Sequence, residues 1–116
     1  DLPDAVGVKG KRNVTTLPTQ ALFLINSPFV VRQASRFAAR LLAKSVLDDA
    51  DRIREGYHCA LKREPSTAEL KRAIDLVKSV ENDLRASVSD PEVRHTKTWS
   101  AFCQALLASN EFRYIE

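Results

Sequence analysis

Between Ser66 and Glu116 the chain holds a single glycine or proline, Pro91; the other seven of its eight glycines and prolines all precede Ser66. Glycine and proline are the residues that end or kink helices, so a stretch this free of them favours long helices. Within it the apolar residues recur at helical spacing: Leu70, Ile74, Val77 and Leu84, then Trp99, Phe102, Cys103, Leu106 and Leu107. An apolar stripe along a helix needs a facing surface to bury it, so the second half of the chain reads as helices packed on a shared core.

The first half supplies the facing surfaces. Pro18 suits the first turn of a helix, where its missing N–H costs nothing, and Ala21-Leu22-Phe23-Leu24-Ile25 continues it as a short, almost wholly apolar segment closed by Asn26. Ser27-Pro28 is an N-cap followed by an N1 proline, opening a second helix to about Lys44 with Val30, Ala34, Phe37, Ala38 and Leu41 on one face. Asp48 and Asp49 open a third, with Ile53, Tyr57, Ala60 and Leu61 in register, and Pro65 ends it by forcing the residue before it out of the helical region. Ser66-Thr67-Ala68-Glu69 is a capping-box pattern for a fourth helix reaching about Ala86. A connection at Ser89-Asp90-Pro91, a fifth helix from about Thr96, and a tail over Glu111 to Glu116 complete the reading.

The expected fold is therefore all-α: a single compact bundle of about five helices over residues 17–116, preceded by an irregular arm over residues 1–16 with strand potential only around Asn13 to Thr16. Phe23, Phe37, Ile74, Trp99, Phe102 and Leu106 are expected in one core. A length of 116 residues with 44% hydrophobic and 28% charged residues fits one globular domain and excludes disorder, collagen and coiled-coil monotony. No apolar run is long enough to span a bilayer, and Asp1 is not followed by the apolar run of a signal peptide. A chain with no methionine that begins at Asp1 reads as a fragment of a longer protein.

Charge and cysteine content narrow the function classes. A net charge of +3 is far from the concentrated positive charge of a dedicated nucleic-acid binder, and two cysteines, Cys59 and Cys103, are too few and too distant for a disulfide scaffold or a zinc site. Cys103 falls within the apolar stripe of the last helix and Cys59 on a flank, so no bridge between them is expected. Glu55 and His58 lie three apart and could pair beside Cys59, but adjacent helical residues diverge by about 100°, which leaves the thiol without an oriented base. His95 reads as a solvated loop histidine. Gly7-Val8-Lys9-Gly10-Lys11 lacks the flanking strand and helix of a phosphate loop, and Asn13-Val14-Thr15 is a glycosylation sequon common by chance. No catalytic, cofactor-binding or metal-ligating residue is assigned. One surface pattern stands out: Arg32, Arg36, Arg40 and Lys44, spaced by four, form a basic ridge on the second helix opposite its apolar face. It reads as a solvated face compensated by Asp48, Asp49, Asp51 and Glu55, with binding of phosphate, sulfated glycan or an acidic partner as the alternative.

Three segments carry a resemblance: Arg12-Asn13-Val14-Thr15-Thr16-Leu17-Pro18-Thr19-Gln20-Ala21-Leu22-Phe23-Leu24-Ile25-Asn26-Ser27-Pro28-Phe29-Val30, then Leu61 to Leu70, then Gln104-Ala105-Leu106-Leu107-Ala108-Ser109-Asn110-Glu111-Phe112. Together they resemble the C-terminal domain of unknown function of large planctomycete proteins that also carry a cytochrome-c-like domain. Thr19 departs from that pattern, where an apolar residue such as leucine is expected. The resemblance implies a module of a long, exported, multidomain protein, with no established activity. Haem chemistry does not transfer with it, because covalent c-type haem needs Cys-x-x-Cys-His and this chain has neither the paired thiols nor a methionine ligand. The leading expectation is a non-catalytic interaction module, without a cofactor, that packs against other domains of its parent chain or a protein partner. The alternative is an anionic-ligand or polysaccharide-binding module using the ridge. An enzymatic role would need groups from outside this chain.

Overall fold

The computed structural model describes residues 27–44 and 47–115, with side chains to Ser109. Four α-helices and no strand occur among the described residues: α1 (Pro28–Leu42), α2 (Asp49–Leu61), α3 (Thr67–Leu84) and α4 (Pro91–Ile115). The all-α class holds. The expected helix over Pro18 to Ile25, the arm over residues 1–16 and the core position of Phe23 lie outside the described residues.

Local sequence sets each helix start. The Ser27 hydroxyl accepts from the Val30 N–H at 3.2 Å, with Pro28 in the first turn, and the Asp48 carboxylate accepts from the Asp51 N–H at 2.9 Å. The capping box of α3 is complete: Ser66 Oγ accepts from the Glu69 N–H at 3.1 Å while the Ser66 N–H donates to Glu69 Oε1 at 2.8 Å. Helix α2 stops on Lys62, which adopts a left-handed conformation (φ 60°) and donates its N–H to the His58 carbonyl.

Helix α4 corrects two boundaries. Ser89-Asp90-Pro91 is not a connection before a helix at Thr96; it is the helix start, with Pro91 in the first turn and the Asp90 carboxylate accepting from the Glu92 N–H at 2.9 Å. That repeats the logic of Ser27-Pro28. His95 accordingly sits on a helix and not in a loop. At the other end the expected stop at Asn110 fails and the helix runs to Ile115, because no glycine or proline follows Pro91 to end it.

Helix α4 packs most extensively on α1 and also touches α2 and α3, so it is the spine of the bundle. The shared core joins Phe37, Ala38 and Leu41 of α1 to Ile53 of α2, Ala73 and Val77 of α3, and Trp99, Phe102, Cys103 and Leu106 of α4. Trp99 and Phe102 meet edge to face, with ring centroids 5.4 Å apart and planes at 78°. Gly56 lets α2 approach that pair: a Cβ there would lie 2.9 Å from the ring edge of Phe102. Of the expected core, Phe37, Trp99, Phe102 and Leu106 are buried, and Ile74 is only partly buried because α3 faces the core through Ala73 and Val77.

Candidate docking groove and basic ridge

Three connections in this bundle are each fastened by an arginine. Arg52, 5% exposed, reaches back from α2 to donate to the Leu41 carbonyl at 3.3 Å and the Lys44 carbonyl at 3.0 Å, closing the end of α1. Arg63 forks onto both oxygens of Glu69 at 2.7 and 3.0 Å and lies 5.5 Å from the Tyr57 ring centroid, holding the α2–α3 turn. Arg94 donates to Glu81 at 2.9 Å and to the Val88 carbonyl at 2.8 Å, tying α4 to the end of α3. Its contact with Glu81, aided by Arg85, holds the Glu81 carboxyl below the usual range. No local sequence pattern marks any of these three arginines for such a role.

The frame so fixed leaves an open groove of about 720 Å³ between α1, the end of α3 and the start of α4. Val31 of α1, Val80 and Leu84 of α3, and Val93 and Ala101 of α4 supply its apolar side chains. Val31 and Val93 are each 43% exposed, and Phe29 at the same end of α1 is 56% exposed. Asp83, Asp90 and Glu92 give this groove an acidic edge, with Lys97 the one lysine or arginine lining it among the described residues. Val31 flanks the buried stripe of Val30, Ala34, Phe37, Ala38 and Leu41 on α1 and is left open at its edge, so reading that helix by its main stripe alone passes over it.

The ridge residues Arg32, Arg36, Arg40 and Lys44 are all exposed, but only the three arginines lie on α1, which ends at Leu42 and not at about Lys44; Lys44 sits in the connection that follows. They are not equivalent. Lys44 pairs with Glu55 at 2.8 Å, which raises the Lys44 pKa and lowers that of Glu55, and the Arg40 guanidinium lies 5.4 Å from the Phe37 ring centroid. Arg32 and Arg36 make no ion pair among the described residues. Of the expected compensating carboxylates only Glu55 reaches the ridge; Asp48 caps α2 and Asp51 pairs with Arg54 at 2.7 Å.

With the fold and these surfaces in place, comparison with known families becomes informative. The family described as PSD1, protein of unknown function (DUF1553), matches residues 1–77 of the 116. The chain belongs to the DUF1553 family. No curated protein and no solved structure matches it. The DUF1553 match takes in the N-terminal segment, α1, α2 and the first part of α3.

In this DUF1553 chain the remaining candidates separate. Glu55 and His58 do not pair with each other: Glu55 turns to Lys44, and His58 Nε2 lies 2.7 Å from Glu64. The reason is reach across the α2 ends, where Lys44 and Glu64 on the flanking connections offer better-placed partners. The Cys59 thiol is exposed and contacts Glu55 at 3.7 Å; Cys103 is buried, and burial pushes its thiol up to about 12. Both cysteines are free. No group of three or more metal-ligating side chains occurs among the described residues, and no described helix is long and apolar enough to cross a membrane. Gly7 to Lys11 and the Asn13 sequon lie outside the described residues.

Proposed function

We propose that this chain is a non-catalytic helical interaction module of a larger, exported multidomain protein, and that it docks an apolar helical segment of polypeptide in the groove between α1, α3 and α4. The observation that carries the reading is the group of apolar side chains that lines this open groove, Val31, Val80, Leu84 and Val93. Contiguous apolar surface of this kind marks sites of association in soluble domains. The acidic edge of Asp83, Asp90 and Glu92 selects an occupant with basic flanks. The resemblance to planctomycete proteins with a cytochrome-c-like domain supports the multidomain, exported context.

A second reading keeps the basic ridge as a polyanion site, favoured by the unpaired state of Arg32 and Arg36 among the described residues. The two readings part experimentally. Wherever the groove is unfilled, Nile red, a neutral dye that brightens in apolar surroundings, should bind there, and that signal should be weakened by Val80→Asp and Val93→Asp if the groove receives apolar groups. Salt-sensitive heparin binding lost in Arg32→Gln/Arg36→Gln would favour the ridge instead.

A further inference from the structure

We propose that the resident occupant of the groove is this chain's own segment Leu17 to Ile25. The proposal rests on the docking reading above and names its partner. Ala21-Leu22-Phe23-Leu24-Ile25 is the most apolar run in the sequence. It ends next to Asn26 and Ser27, where α1 begins, and Val31, within the first turns of α1, already lines the groove. A segment of this length spans roughly 13 Å as a helix and about 30 Å extended, enough to run along a groove that starts beside its own attachment point.

Charge agrees with that placement. Lys9, Lys11 and Arg12 precede the apolar run, and the groove presents Asp83, Asp90 and Glu92. The DUF1553 match, over residues 1–77, takes in this N-terminal segment together with α1, which supplies one wall of the groove. Tethering also gives the segment an effective concentration in the range of about 1 mM, so an external partner reaches the groove only by displacing it.

Two measurements on the full chain test this. In the unmodified chain, nuclear Overhauser contacts are expected from the Phe23 ring to the methyls of Val31, Val80 and Val93. In Phe23→Asn/Leu24→Asn, Nile red emission should rise several-fold over the unmodified chain and fall again when Val93→Asp is added. Absence of the Phe23 contacts, together with an unmodified chain whose bright Nile red signal is already quenched by Val93→Asp, overturns the self-docking and leaves the docking groove standing. A dye signal that Val93→Asp does not alter in either background overturns both.

Discussion

The guanidinium of Arg52 lies over the indole of Trp99, its central carbon 5.4 Å from the ring centroid, in a core from which both are almost wholly excluded from water. No carboxylate neutralises this buried cation among the described residues. Its charge is met by the Leu41 and Lys44 carbonyls, at the negative end of the α1 dipole, and by the face of the ring. One side chain thereby joins α1, α2 and α4.

Replacing Arg52 by methionine should therefore cost about 2 to 3 kcal/mol, since it leaves two carbonyls short of a donor and removes the contact with Trp99. Arg52→Lys keeps the charge but not the planar fork, and should recover only part of the loss. Urea unfolding of the two variants measures both; a loss below about 0.5 kcal/mol for methionine would mean that the carbonyls find water instead.

Gly56 tests the closeness of α2 to α4. An alanine in a helix interior usually gains about 1 kcal/mol over glycine, but here its Cβ would stand 2.9 Å from the Phe102 ring. Gly56→Ala should destabilise by up to about 2 kcal/mol, because overpacking outweighs the helical gain. Phe102→Ala removes the ring and should cost about 3 to 5 kcal/mol. In the double variant the penalty at position 56 should vanish, read from a double-mutant cycle in chemical denaturation.

Much of this architecture is legible in the sequence because its signals are local. Ser27-Pro28, Asp48 and the Ser66 to Glu69 box act within one turn, so the starts of α1, α2 and α3 follow from neighbouring residues. Asp90-Pro91 carries the same local signal, but the next strongly apolar cluster begins only at Trp99, and periodicity drew the boundary to Thr96. Arg52 and Arg94 escaped notice because their partners are backbone carbonyls and a carboxylate brought near by tertiary packing, which no spacing encodes. The groove is hidden for a related reason: Val31 and Val93 come to line one surface only once α1 and α4 are laid side by side.

Acid should weaken the α2–α3 turn. Arg63, bonded to both oxygens, holds the Glu69 carboxyl at about 2, against an ordinary value near 4.3 in the unfolded chain. Between those values the unfolded state binds the extra proton, so this contribution is fully present above about pH 5 and is lost as pH falls through 2. Glu69→Gln should cost on the order of 1 kcal/mol at pH 7, allowing for the partial exposure of the pair, with the gap to the unmodified chain closing toward pH 2. Thermal melts across that range provide the comparison.

The two thiols should differ sharply in reactivity. Cys59 is exposed, while Cys103 is buried with its thiol pushed up to about 12. A thiol reagent on the native chain should label Cys59 at once and Cys103 only on unfolding, as mass spectrometry of peptides would show. Equal labelling rates would place Cys103 outside the core.

The most direct measurement on the docking account is a methyl-spectrum titration. A synthetic peptide of residues Lys9 to Asn26 is added to the full chain carrying Phe23→Asn and Leu24→Asn, so that the tethered segment no longer competes. The account predicts saturable shifts at Val31, Val80, Leu84 and Val93, abolished by Val93→Asp. Unmoved groove methyls at excess peptide, or shifts confined to residues beside Arg32, Arg36 and Arg40, would contradict it.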